Sequence, residues 1–180
     1  MRIIAGQAKG RKLRRPAAGT RPFTDRNREA LFSSLGSSVE GCRVLDLYAG
    51  TGSLGLEALS RGAGSATFVE WNPPAVSILR ENLAASGRGG EVVATDVVDF
   101  LEASSETFDL AFIDPPYDLP LASVEEVLTE LMDRLDSGAI AVVHRRYGEA
   151  RPSAPLGLEL AWERRYGDAQ IWRYTRTADQ

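Results

Sequence analysis

One cysteine (Cys42) and one histidine (His144) occur in a chain of 180 residues. A lone cysteine excludes a disulfide within the chain, and the two residues together fall short of the ligands a Cys/His zinc site needs. Long apolar runs are missing too. None approaches the roughly 20 residues that span a bilayer, and the start Met1-Arg2-Ile3-Ile4-Ala5-Gly6 does not read as a secretion signal. These absences point to a cytoplasmic protein that needs neither metal nor membrane. Lysine is nearly absent, with two residues against nineteen arginines. Arginine suits phosphate forks and base stacking, although codon usage can produce the same ratio.

What remains is ordinary for one globular domain: 43% apolar and 26% charged residues, with enough length to bury a core. The net charge of −4 hides an asymmetry. Residues 1–28 carry nine Arg or Lys against the single acid Asp25, a balance of +8, while residues 29–180 stand at −12. An acidic total argues against nucleic acid; the split argues for it. Gly6, Gly10, Pro16, Gly19 and Pro22 punctuate the basic segment and suggest a hairpin or turns rather than a featureless tail.

Beyond it, Thr24 with Asp25 and Glu29 reads as a capped helix start, running through Leu31, Phe32 and Leu35 to Gly36. Strands are then predicted over 43–48, 65–70, 91–95, 108–113 and 138–144. They alternate with helices over 53–62, 73–87 and 121–135 and a short helical piece through Phe100 and Leu101. That alternation implies βαβ units and a parallel sheet. Strands over 156–164 and 169–175, joined at Tyr166-Gly167-Asp168, close the chain as an antiparallel hairpin.

Asp114-Pro115-Pro116-Tyr117 ends the apolar strand 108–113. Proline lacks an N–H and fixes φ, so the backbone is rigid while its carbonyls can still accept. A carboxylate and a carbonyl beside an aromatic face can grip a planar group bearing an –NH2. Two acceptors on its hydrogens would localise the amino lone pair and aim it. The simpler reading is a strand-ending Asp-Pro turn.

Gly50-x-Gly52-x-x-Gly55, between a strand and a helix, matches the dinucleotide fingerprint, and Glu70 ends the next strand where a ribose-binding acid belongs. An NAD-binding oxidoreductase is therefore a competitor. Asp46, four residues before Gly50, would set a carboxylate near a dinucleotide's diphosphate, which is unfavourable. A cofactor with a cationic sulfonium and an amino acid moiety would welcome it. Nor, the one histidine aside, does the rest of the chain resemble a substrate domain with a proton-transferring residue.

With Asp46 and the tetrapeptide together, the chain resembles the class I S-adenosylmethionine-dependent methyltransferases. Their order of motifs here is that of the enzymes acting on exocyclic or amide nitrogens. The implied fold is α/β and Rossmann-like: a mostly parallel seven-stranded sheet with a C-terminal antiparallel hairpin and helices on both faces. A basic N-terminal RNA-binding arm, 1–28, would precede a methyltransferase domain, 29–180. Arg2-Ile3-Ile4-Ala5-Gly6, Gly10-Arg11-Lys12-Leu13, Arg21-Pro22-Phe23-Thr24-Asp25-Arg26 and Arg28-Glu29 narrow the match. Together with the stretch from Asp46 to Gly52, they resemble the bacterial 16S rRNA guanine-N2 methyltransferases that act on the small-subunit head. The resemblance covers nearly the whole chain, and its N-terminal part is the most specific.

The resemblance implies roles. Asp46, Tyr48, Gly50 and Gly52 would line the methionine end of S-adenosylmethionine, and Glu70 would take the ribose hydroxyls. Trp71 would flank the adenine or else pack in the core. Asp96, with Val97, would meet the adenine edge or else cap a helix. Asp114 and the Pro115 carbonyl would hold a guanine amino group, with Pro116 stiffening the turn and Tyr117 stacking on a flipped base. Arg11, Lys12, Arg14, Arg15, Arg21, Thr24, Arg26 and Arg28 would bind RNA, whereas Arg145-Arg146 would extend the basic rim or, as reads better, form a solvated pair. The expected partner is 16S rRNA in an assembling or assembled 30S subunit, met by a monomer. Other classes are weighed against this. A DNA adenine-N6 methyltransferase normally carries a larger recognition region, protein glutamine methyltransferases favour Asn where Asp114 stands, and a non-catalytic RNA chaperone would not need the tetrapeptide.

Overall fold

The computed structural model describes residues 1–15 and 24–178. Helix α1 (Asp25–Leu35) begins where extended Thr24 accepts the Asn27 N–H on its hydroxyl at 3.1 Å, and stops at Gly36 with φ +55°. The chain then alternates through β1 (Arg43–Leu47), α2 (Ser53–Ser60), β2 (Ser65–Val69), α3 (Pro73–Ser86), β3 (Glu91–Val93) and α4 (Val97–Ala103). It continues with β4 (Phe108–Ile113), α5 (Leu121–Leu131), β5 (Leu135–Arg146), β6 (Leu158–Tyr166) and β7 (Ala169–Arg176). Predicted and observed elements agree in type. The largest shift is at α5, which ends at Leu131; a single tight turn, Met132–Arg134, leads into β5 at Leu135. Leu128, Leu131 and Leu135 have helical spacing, but Leu135 is already paired with Phe108 of β4.

The sheet order is β3-β2-β1-β4-β5-β7-β6. The first five strands run parallel, and β7 is antiparallel to both β5 and β6. Alternate side chains enter two cores. Val44, Phe68, Leu110, Phe112 and Val142 meet α1, α2 and α3 on one face, and Leu45, Leu47, Ala111, Ile113 and Val143 meet α4 and α5 on the other. Burial on both faces is why β1 and β4 read as near-continuous apolar runs. Asp46 is the one polar residue among the buried positions of β1. From β1 the chain winds one way to β2 and β3 and the other way to β4 and β5. That reversal opens a crevice outside the carboxyl ends of β1 and β4, the place where open α/β sheets bind ligands.

Residues 1–15 do not stand off as an arm. Arg2 and Lys12 bridge antiparallel, and Ile3, Ala8 and Leu13 are buried with Leu31, Phe32 and Leu56. The Glu57 carboxylate of α2 accepts the N–H groups of Ile4 and Ala5 at 2.8 and 3.1 Å. Asn82 of α3 accepts the Arg14 N–H at 2.7 Å and donates to the Arg14 carbonyl at 3.1 Å. These residues form a strap on the α2/α3 layer, sharing its core, and the expected boundary after residue 28 falls inside α1. No helix among the described residues is long and apolar enough to cross a membrane.

Candidate functional site

Each loop that lines the crevice follows a strand, so the sheet register fixes its neighbours. Tyr48, just past β1, holds φ +57°. A bulky residue in that region costs on the order of 1–3 kcal/mol and persists only where the surroundings impose it. Gly52, at φ +81°, starts α2; a Cβ there would come within 2.3 Å of Leu79. A Cβ at Gly55 would meet Phe68 at the same distance. The glycines therefore let β1, α2, β2 and α3 approach closely.

Two carboxylates occupy the backbone donors of this loop. Asp46 Oδ2 accepts the Gly55 N–H at 2.8 Å, and Glu70 Oε2 accepts the Gly50 N–H at 2.8 Å. Glu70 Oε1 also accepts the Asn72 N–H at 2.8 Å, tying the β1 and β2 loops together. These are donors on which a dinucleotide's diphosphate would depend. Asp46 is only 1% exposed. Burial pushes its carboxyl well above the usual range, the Gly55 N–H opposes this, and Asp114 and Glu70 add repulsion. Tyr48 is pushed up to about 12, chiefly by burial and further by Asp96. Asp46, Glu70, Asp96 and Asp114 thus converge on one crevice, which favours a cation and disfavours phosphate.

Asp96 caps α4, its Oδ1 accepting the Val98 N–H at 2.8 Å. Val97 turns its side chain into the core beside α5. Trp71 is 62% exposed at the crevice margin, which removes the core-packing alternative.

On the other side, Asp114 Oδ1 meets His144 Nδ1 at 2.6 Å. His144 is buried near the end of β5, and the pairing Ile113↔Val143 makes it the lateral neighbour of Asp114. Tyr117 lies edge-on to His144 at 6.1 Å between ring centroids, with the Arg146 guanidinium 4.9 Å from its own centroid. Arg145 overturns the solvated-pair reading. It is 3% exposed and donates to the carbonyls of Pro116 at 3.1 Å, Leu119 at 2.9 Å and Tyr117 at 3.4 Å, while Glu149 neutralises it. The tetrapeptide loop is thereby clamped from below by one guanidinium fork.

His144 and Arg145 were missed as site residues because nothing near them in sequence marks them. The available signal was topological: in a parallel sheet where β5 flanks β4, the residues ending β5 adjoin those ending β4.

The basic residues divide sharply. Arg28 is 0% exposed and cannot contact RNA; its guanidinium donates to the Arg2 carbonyl and Asp25 and lies 3.6 Å from Glu57. Its place in α1, facing Leu31 and Phe32 rather than solvent, is the reason. Arg11 donates to Ala85 at the end of α3, and Arg14 pairs with Glu81. Lys12, Arg15, Thr24 and Arg26 are exposed, and Arg21 lies outside the described residues.

Fold and crevice define a Rossmann-like methyltransferase class, with seven strands, the last antiparallel, and acids at the switch point. The chain belongs to the family described as Conserved hypothetical protein 95, which it matches over residues 1–175. It is 37% identical, over 99% of its own length and 91% of the relative's, to the ribosomal RNA small subunit methyltransferase D of Escherichia coli strain K12. Among solved structures, the Escherichia coli protein yhhF superposes with a TM-score of 0.88 at 37% identity, covering 99% of each chain. The Thermus thermophilus protein TTHA0928 superposes at 0.83 and 35% identity, over 96% of this chain and 98% of that one.

Proposed function

We propose that this protein transfers a methyl group from S-adenosylmethionine to the exocyclic N2 of a guanine in 16S rRNA. Its substrate is an assembling or assembled small subunit, on which it acts as a cytoplasmic monomer. The observation that carries the cofactor reading is the occupation of the Gly50 and Gly55 N–H groups by Glu70 and Asp46. A diphosphate would find its donors taken by like charge, whereas a sulfonium with an ammonium group is drawn to the same carboxylates. The crevice fits: Glu70 presents carboxylate oxygens toward a ribose, Trp71 offers an exposed face to an adenine, and Asp96 sits at the crevice edge. The same two carboxylates disfavour NAD, whose diphosphate would need those donors. The bound cofactor supplies a methyl already activated on positive sulfur.

The chain's own residues then position the acceptor. His144 holds Asp114 through Oδ1, so Oδ2 and the Pro115 carbonyl are the acceptors for the two amino hydrogens. Arg145 fixes the loop that carries them, and Tyr117 stacks on the base. Alignment supplies most of the rate. The methylated nitrogen becomes acidic, and its proton leaves toward the Asp114–His144 pair without a strong base. The substrate reading draws on the rRNA methyltransferase relative and on the exposed cations Arg15 and Arg26.

Labelled S-adenosylmethionine supplied with unmodified small subunits, naked 16S rRNA and duplex DNA tests this. Label should enter small-subunit RNA, and Asp114→Ala should lower the rate by about 10²-fold. Label confined to DNA, or full activity in Asp114→Ala, would sink the proposal.

A further inference from the structure

The crevice that suits a sulfonium is hostile to an RNA backbone. Asp46, Glu70, Asp96 and Asp114 repel phosphate, so a base can enter while its backbone must ride on a rim of opposite sign. The turn of the strap, residues 6–11, supplies little of that rim. Gln7 hydrogen-bonds to Ser60 at the end of α2, and Arg11 to Ala85 near the end of α3. Both helices start at the crevice, so those ends lie roughly 12 and 20 Å away from it at 1.5 Å per residue.

The C-terminal hairpin offers another surface. β5 ends at Arg146, which pairs with Ala169 of β7, and Ala169 pairs in turn with Tyr166 of β6. The β6–β7 turn therefore lies on the same sheet edge as Asp114, about 10 Å beyond β5 by strand spacing. Two neighbouring residues, at and just past the end of β5, each join a ring to a guanidinium: Arg146 covers the Tyr117 ring at 4.9 Å, and Arg165 covers the Tyr147 ring at 3.6 Å. Tyr147 is 50% exposed, its N–H held by the Asp168 carbonyl at 2.8 Å, and Arg165 Nε donates to the Gly167 carbonyl at 2.8 Å. Asn27 of α1 reaches the Tyr166 carbonyl at 3.3 Å, which brings the exposed Arg26 beside this turn.

We propose that Arg146, Tyr147 and Arg165 form a platform for single-stranded RNA flanking the target base. A neighbouring nucleotide stacks against the Tyr147–Arg165 pair while the guanidinium groups meet phosphates. Alternating aromatic faces and guanidinium planes are the common means of holding unpaired nucleotides. Here each tyrosine ring is already ordered against a guanidinium, at neighbouring positions on the edge that carries Tyr117. The proposal rests on the RNA-methyltransferase reading, and the two can fail separately.

The test uses full-length protein with Tyr147→Ala, Tyr147→Phe and Arg165→Ala. Retention of protein-free 16S rRNA on filters is measured over a range of salt, beside methyl transfer to small subunits and affinity for S-adenosylmethionine. Tyr147→Ala should weaken RNA retention about tenfold, the loss of one stacked base. Tyr147→Phe should restore it. Arg165→Ala should weaken it and lower the salt slope by about one. Cofactor affinity should not change in any of the three. Wild-type retention and salt slope in both alanine variants would overturn the platform. So would a loss seen only with small subunits, which would assign the surface to a ribosomal protein. Absence of methyl transfer by the wild type would overturn the parent reading alone, because filter retention still reports on the platform.

Discussion

The N-terminal strap and the C-terminal hairpin turn are both rich in arginine, yet they direct their charge differently. Strap residues 1–15 bury Ile3, Ala8 and Leu13, and their polar contacts run inward to Glu57, Ser60 and Asn82. Arg11 and Arg14 lie along α3, and nearby Arg28 is sealed in the core. At the hairpin, Arg146 and Arg165 instead lie over tyrosine rings at the edge that carries Asp114. A count of charges along the sequence locates cations but not the direction they face. The strap, with six of the 21 basic residues, acts mainly on the fold; the hairpin turn has its charge aimed at solvent beside the site.

If that contrast is right, strap variants should lower stability and cofactor affinity, and hairpin variants should lower RNA affinity. The largest effect should come from Glu57→Ala. Glu57 is fully buried, neutralises Arg28, accepts from Arg61 at 2.8 Å and holds two strap N–H groups. Removing one partner of a buried ion pair costs about 3–5 kcal/mol, a fall of roughly 10 °C in a domain of this size. Thermal unfolding followed by circular dichroism checks it; a fall below about 1 kcal/mol, with RNA affinity lost, would reverse the assignment of the strap.

Asn82→Ala should come next. The buried Asn82 amide donates to the Thr51 carbonyl of the glycine loop at 2.9 Å while its other bonds grip Arg14. It is a direct link from strap to loop. Leaving those groups unpaired costs about 1–3 kcal/mol, and S-adenosylmethionine affinity should fall together with stability. Calorimetric titration that shows wild-type cofactor affinity in a destabilised variant would confine Asn82 to the strap.

Asp46→Asn should have a smaller effect, with a pH signature. Burial raises the folded-state pKa of Asp46 above its unfolded value of 3.8. The folded protein therefore holds this proton more tightly than the unfolded chain. The resulting stabilisation is complete below the unfolded pKa and is lost as pH rises through the raised folded value. Asparagine keeps an oxygen for the Gly55 N–H but carries no charge, so the variant should lose less stability between acid and neutral pH. Cofactor affinity should drop, the familiar exchange of stability for function at a binding site. Melting curves at several pH values that run parallel to the wild type would show that Asp46 carries no such cost.

Much of this was legible in the chain itself. Alternation of apolar runs with helical spacing gave the order of elements, because strands buried on both faces and amphipathic helices leave distinct periods. The acids Asp46, Glu70 and Asp114 stood out because each ends or interrupts an apolar strand. His144 and Arg145 did not stand out, since their roles arise from the lateral register of β5 on β4, a long-range fact. Arg28 misled for the opposite reason: it closes the basic segment 1–28 in sequence, but its neighbours in space are Glu57, Asp25 and the apolar face of α1. A helical reading of 25–35 places residue 28 on the same side as Leu31, Phe32 and Leu35, so helical phase carried better information than local charge.

The smallest predicted effect is also the sharpest discriminator between the two regions. Arg11→Ala removes a cation that the resemblance placed among the RNA contacts, yet its guanidinium caps the Ala85 carbonyl at 2.8 Å, near the C-terminal end of α3. A cation there satisfies a terminal carbonyl and complements the helix dipole, worth about 0.3–1 kcal/mol when exposed. A slight loss of thermal stability should therefore accompany RNA retention and methyl transfer within about twofold of wild type, with an unchanged salt slope. A slope lowered by about one would mean that RNA reaches the far end of α3 and that the strap reads substrate as well as bracing the fold. In that case the footprint would run along the whole α2/α3 layer. If the slope holds, the footprint stays off the far end of α3, which leaves Arg15, Arg26, Arg146 and Arg165 as its cations.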